Sequence, residues 1–104
     1  MSERDYTQLD AIIHSRIRLA VMATLASVDH AEFTLLREQT GATDGNLSTH
    51  LRKLEEAGYV AVEKAFEERR PVSRYHLTPE GRGAFAGYIE RLETLIGIAD
   101  PRYK

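Results

Sequence analysis

The sequence predicts a mainly α fold completed by one small β-hairpin. Three observations predict it: apolar residues recur at helical steps over the first 28 positions, two short helical stretches meet at Gly41, and after Gly58 the apolar period drops from 3.6 to 2 before a long helical pattern resumes at Pro79. With 104 residues the chain suits one hydrophobic core and one domain, residues 1–104.

The elements follow in order. Leu9, Ile12 and Ile13 suggest an N-terminal helix over residues 5–14. Ile17, Ala20, Val21, Thr24, Leu25 and Val28 continue the pattern in a second helix from about Ser15, whose hydroxyl can cap it. Phe33 stands among polar neighbours as a core candidate. Thr34 can cap a short helix from Leu35 to Thr40, and Gly41 can close it in the left-handed conformation. Thr43 or Asp44 then caps a further helix that ends at Gly58. Two short helices joined by Gly41-Ala42-Thr43 form a helix-turn-helix pattern.

Beyond Gly58, Val60 and Val62 alternate with Ala61 and Glu63, and Tyr75 and Leu77 alternate with Arg74 and His76. The polar run Glu67-Glu68-Arg69-Arg70-Pro71 between them makes an exposed hairpin tip. Thr78-Pro79-Glu80 restarts a helix with a cap, a proline at the first helical position and an acid at the positive end. A hairpin directly after a helix-turn-helix, followed by a last helix, is the order of a winged helix.

The helix that begins "TDGNLSTHLRKL" carries the functional signal. On a helical wheel Leu47, Leu51 and Leu54 share one narrow arc, while Gly45, Asn46, Thr49, Arg52 and Lys53 lie opposite, with Asp44 and Ser48 near its start. Short donors and acceptors at the tip, with cations a turn later, suit a helix placed in the DNA major groove. His50 edges that surface. Lys64, Arg69, Arg70 and Arg74 fall on or beside the hairpin, where they can reach a minor groove or its phosphates. The plainer readings are a capped surface helix and a hairpin kept soluble by its charges; the two features side by side favour DNA.

Composition is mildly against that. The net charge is −2, and residues 44–76 hold as many acids (Asp44, Glu55, Glu56, Glu63, Glu67, Glu68) as bases (Arg52, Lys53, Lys64, Arg69, Arg70, Arg74). A winged helix used as a protein–protein interaction module is therefore the alternative function. Salt dependence of binding separates the two.

The runs "LSTHLRKLEEAGYVAVEK" and "RPVSRYHLTPEGRGAF" resemble the small winged-helix regulators grouped with the MarR and ArsR families, most nearly the compact MarR-like type. The resemblance extends from about Leu9 to Ile96. It implies that Asn46, Ser48, Thr49, His50 and Arg52 belong to the recognition helix, that Arg69, Arg70 and Arg74 lie in the wing, and that terminal helices dimerise.

A dimer also follows from the apolar surfaces. Phe85, Tyr88, Ile89, Leu92, Leu95 and Ile96 make one broad stripe on the last helix, residues 79–99, and Tyr6, Leu9, Ile12 and Ile13 make another at the N-terminus. The two are expected to join across a two-fold axis rather than pack within one chain, so that paired recognition helices read a near-palindromic operator. A small-molecule effector, if one exists, is expected in a cleft between the terminal helices and the winged core.

Other chemistry has little support. Cysteine is absent, which excludes disulfides and thiolate sites, and His14, His30, His50 and His76 are scattered. Gly81, Gly83 and Gly87 read as close-packing points of a helix. The expectation is a non-enzymatic protein without metal or cofactor. The N-terminus lacks the apolar stretch of a signal peptide and no apolar run is long enough to span a bilayer, so the expected location is cytoplasmic.

Overall fold

The computed structural model describes residues 6–99 and Arg102. A single 3-10 turn, Tyr6–Gln8, precedes α1 (Arg16–Ala26), β1 (Ala31–Glu32), α2 (Phe33–Thr40), α3 (Asp44–Glu56), β2 (Val60–Glu67), β3 (Arg70–Leu77) and α4 (Pro79–Ala99). The strands form an antiparallel sheet in the order β1-β3-β2. The hairpin is thus part of a three-stranded sheet.

Local chemistry accounts for most boundaries. The Ser15 hydroxyl accepts from the Arg18 amide and caps α1. Thr43 caps α3 by accepting from the Asn46 amide at 3.2 Å. Gly41 closes α2 with φ 69°. At the end of α3 the Gly58 amide donates to the Glu55 carbonyl and the Tyr59 amide to the Leu54 carbonyl, with Gly58 at φ 81°. This paired arrangement satisfies carbonyls that a helix end leaves open, and it needs a residue that tolerates positive φ.

One helix boundary differs from expectation. α2 starts at Phe33, not Leu35, and its N-cap is Glu32, whose side chain makes no capping bond. The Ala31–Glu32 strand, paired with Tyr75 and Arg74, fixes the chain there in place of Thr34. A two-residue strand has no measurable period, so sequence patterning does not reveal it.

Leu9, Ile13, Val21, Met22, Leu25, Leu36, Leu47, Leu51, Leu54, Val60, Tyr75, Leu77, Tyr88 and Leu95 belong to one core cluster. This corrects the account of the N-terminal segment, which is not a helix over residues 5–14. After the 3-10 turn it folds back on its own chain, burying Leu9 and Ile13 in the core cluster that also holds Tyr88 and Leu95 of α4. Polar clasps hold it. Asp10 accepts from the Ile12 amide at 2.8 Å and from the Tyr59 hydroxyl at 2.5 Å, and His14 Nδ1 lies 2.7 Å from the Tyr88 hydroxyl. The Asp10 bond, with burial added, pushes the Tyr59 hydroxyl pKa up to about 12. Leu9, Ile13, Tyr88 and Leu95 are therefore interior residues of one protomer, not free surface for a second. The side chain of Tyr6 lies outside the described residues.

α4 is joined to the sheet through Thr78. Its hydroxyl donates to the Gly58 carbonyl at 2.6 Å and accepts from the Gly81 amide at 2.9 Å, and its amide donates to the Tyr59 carbonyl. Gly81 packs so closely that an added Cβ would sit 2.0 Å from the Tyr59 carbonyl oxygen, whereas Gly83 and Gly87 have nothing within 4 Å. Of the three glycines only Gly81 is a close-packing point. Gly81→Ala should destabilise the domain by about 1–3 kcal/mol, the usual cost of overpacking. Gly83→Ala should stabilise it by roughly 0.5–1 kcal/mol through helix propensity. Urea denaturation of both variants checks the pair; equal behaviour would contradict the close approach.

Candidate nucleic-acid interface

The surface begins with what is buried. Leu47 and Leu54 are fully sealed and Leu51 nearly so, which sets the roll of α3 about its axis. Asp44, Gly45, Asn46, Ser48, Thr49, Arg52 and Lys53 are consequently exposed along the outward side. The Thr49 hydroxyl donates to the Gly45 carbonyl at 3.0 Å and keeps its acceptor capacity. The Asn46 amide is used by the Thr43 cap, while the Asn46 side chain points outward.

His50 is half-buried and turned toward α1. Arg18 Nη1 donates to its Nδ1 at 2.8 Å, and Arg18 also donates to the Ile12 carbonyl at 2.5 Å. Because arginine can only donate, Nδ1 must carry a lone pair and the ring is neutral. Burial lowers the pKa of His50 below its ordinary 6.5, with the charges of Arg18, Lys53 and Arg16 acting in the same direction. His50 thus links the recognition helix to α1 and the N-terminal segment.

The wing is a tight hairpin. Glu67 pairs with Arg70, leaving Glu68 and Arg69 as a two-residue loop with φ 50° and 67°. Two consecutive positive φ values match a type I′ turn, whose twist suits adjoining strands. Lys64, Arg69 and Arg70 are exposed; Arg74 is partly covered and donates to Glu67 at 2.6 Å. By the register this ion pair runs above the Ala65–Val72 pair. Its hydrogen bond raises the pKa of Arg74 and holds the Glu67 carboxyl below its usual range.

A second ion pair, missing from the sequence reading, joins the two helices of the helix-turn-helix. Arg37 of α2 donates to Asp44 at 2.9 Å. That contact raises the pKa of Arg37 and brings an exposed cation to the start of α3. Residues seven positions apart on different helices share no periodic signal, so only the packing of α2 on α3 brings them together. Arg16 reaches the same region by donating to the Thr40 carbonyl at 3.1 Å.

A hollow of about 420 Å³ lies between α1 and α2, lined by Ala23, Thr24, Ser27, Val28, Leu35 and Gln39. It is not the expected effector cleft between the terminal helices and the winged core. Among the described residues no group of three or more His, Asp or Glu side chains could hold a metal ion, and no helix is long and apolar enough to cross a membrane.

A leucine-anchored helix with a polar outward face, beside a tight cationic hairpin, is the geometry of a DNA reader. The winged helix DNA-binding domain profile matches residues 17–96. The chain belongs to that family. An uncharacterised protein of Methanocaldococcus jannaschii is 40% identical over 78 residues, covering 75% of this chain and 85% of that protein. A transcriptional regulator homologue from Pyrococcus horikoshii superposes with a TM-score of 0.86 at 27% identity, covering 96% of this chain and 99% of that one. A MarR-family regulator from Enterococcus faecalis gives 0.75 at 23%, covering 94% and 96%. The winged-helix expectation holds: the chain is a winged helix DNA-binding domain, and its fold is one that MarR-family regulators share.

The Arg18–His50 contact predicts how winged-helix stability changes with pH. Because the folded pKa of His50 lies below its ordinary value, the unfolded chain binds the extra proton first. The stabilisation is fully present above pH about 6.5 and is lost as pH falls through the folded value. Thermal melts between pH 7.5 and 5.5, above the ordinary carboxylate range, should show a decline that is shallower in His50→Gln. Parallel declines would show that His50 stays uncoupled from folding.

Proposed function

We propose that this protein is a sequence-specific regulator of double-stranded DNA that acts as a homodimer on a near-palindromic operator. In this reading α3 lies in the major groove, where Asn46, Ser48 and Thr49 meet base edges and Arg52 and Lys53 meet guanine or phosphate. The wing, residues 64–74, approaches the minor groove. Asp44 and Gly45 sit where the amides and positive dipole end of α3 approach the backbone. The observation that carries the reading is the sealing of Leu47, Leu51 and Leu54, which leaves the polar side of α3 facing out.

The homodimer rests on what α4 leaves uncovered. Phe85, Ile89 and Leu92 are half-buried and Ile96 is 45% exposed. On a helical wheel they form a stripe rotated roughly 80° from Tyr88 and Leu95, which face the chain's own core. Ile12 lies partly exposed on the N-terminal segment and can extend the same surface. Two α3 helices about 34 Å apart would then enter successive major grooves. A dimer also doubles the number of cations on the duplex, which offsets the acidic balance of each chain.

That acidic balance keeps a protein-interaction module as the second reading. Fluorescence anisotropy with duplexes recovered from bound genomic fragments separates the two. The DNA reading expects affinity to fall roughly a thousandfold between 50 and 200 mM salt, and Arg69→Glu with Arg70→Glu to abolish binding. Salt-independent or absent binding would favour the protein-interaction module. Light scattering should give a mass twice the 11.8 kDa of one chain. Leu92→Glu with Ile96→Glu should return it to that of one chain; a native monomer at micromolar concentration would refute the α4 interface.

A further inference from the structure

Phe66 is 72% exposed, more than Leu35 or Ile96, and it lies on the outer strand of the sheet. An aromatic ring left in water on a strand edge invites aggregation and adds nothing to the core. Its placement is specific. Phe66 pairs with Pro71, and Lys64 lies two residues nearer the base. Because side chains alternate across a pleated pair, Val60, Val62, Lys64 and Phe66 share one face with Leu77, Tyr75, Ser73 and Pro71.

Near the base this face belongs to the core, with Val60, Tyr75 and Leu77 buried. Farther out the same face is exposed at Lys64, Phe66 and Pro71. Glu63 and Glu67 lie on the other face, where Arg74 engages Glu67. Along the paired strands the ring therefore shares its face with Lys64 and with no carboxylate; Glu68 and Arg69 form the turn beyond it, and Arg70 lies with Glu67 on the other face.

An apolar surface flanked by cations complements the sugar-phosphate wall of a DNA groove, where deoxyribose carbons lie between phosphates. The tip itself is formed by Glu68 and Arg69, so Phe66 sits on the flank and meets the wall of a groove rather than its floor. We propose that the Phe66 ring packs on deoxyribose at the minor groove while Lys64 and Arg69 engage adjoining phosphates. The contact supplies a share of wing affinity that does not depend on charge. It rests on the DNA-binding reading and adds a residue that motif and charge patterning pass over.

The test compares wild type, Phe66→Ala and Phe66→Leu by anisotropy on one duplex recovered from bound genomic fragments, at several salt concentrations. Phe66→Ala should weaken binding about five- to tenfold by the same factor at every salt concentration, because apolar area and no charge is lost. Phe66→Leu should recover most of the loss, with melting temperature and dimer mass unchanged in both. Wild-type affinity in Phe66→Ala, or a loss that comes with a changed salt slope, would overturn the contact while leaving the DNA reading intact. A change in oligomeric mass would assign the ring to a second copy of the chain and overturn the proposal. Failure of the wild type itself to bind any duplex would refute the DNA reading, and the Phe66 contact with it.

Discussion

Leu47, Leu51 and Leu54 are sealed in the core, and the arrangement of the outward face of α3 depends on their burial. The tip of α3 is built from residues that are weak helix formers, such as Gly45, Asn46, Ser48 and Thr49, so intrinsic propensity does little to hold it. Hydrophobic burial does this instead. With three leucines each worth roughly 2 kcal/mol of burial, the outward residues are free to be selected for hydrogen bonding rather than for stability. The Thr43 cap and the paired amide bonds around Gly58 close the two ends of this helix.

Electrostatics follows a different design from that of a strongly basic DNA binder. Arg37 is held by Asp44 and Arg74 by Glu67, so two cations near the outward surface already have carboxylate partners. Such exposed pairs contribute little to stability. They do orient the long side chains of Arg37 and Arg74. A net charge of −2 is compatible with a DNA-binding class when cations are placed in this way.

Much of the fold is legible in sequence because its signals are local. Thr43, Gly41 and Gly58 mark helix ends through their own conformational chemistry, and the alternation at 60, 62, 75 and 77 anticipates the observed pairing of Val60 with Leu77 and Val62 with Tyr75. What escaped is non-local. Leu9 and Ile13 look like one amphipathic surface, yet they are buried in the same core cluster as Tyr88 and Leu95, some 80 positions away, and periodicity cannot say whether such faces meet within a chain or between chains. The Ala31–Glu32 strand is too short to have a period, and the Arg37–Asp44 and Arg18–His50 contacts arise from helix packing alone. For the candidate interface, residue type and wheel position identified the exposed polar side of α3, whereas the half-buried setting of His50 required the neighbouring helix.

The junction at Thr78 has a mechanical consequence. One hydroxyl ties the residue that ends α3 to the first turn of α4, and Gly81 lies against the backbone that opens β2. The end of α3, the root of the hairpin and the start of α4 are therefore tied together at one corner. If two copies associate through α4, the angle between their long helices becomes the lever that sets the distance between reading heads. Anything that altered that angle would carry helix and wing together as a rigid bracket, changing the span of the pair without reshaping either head.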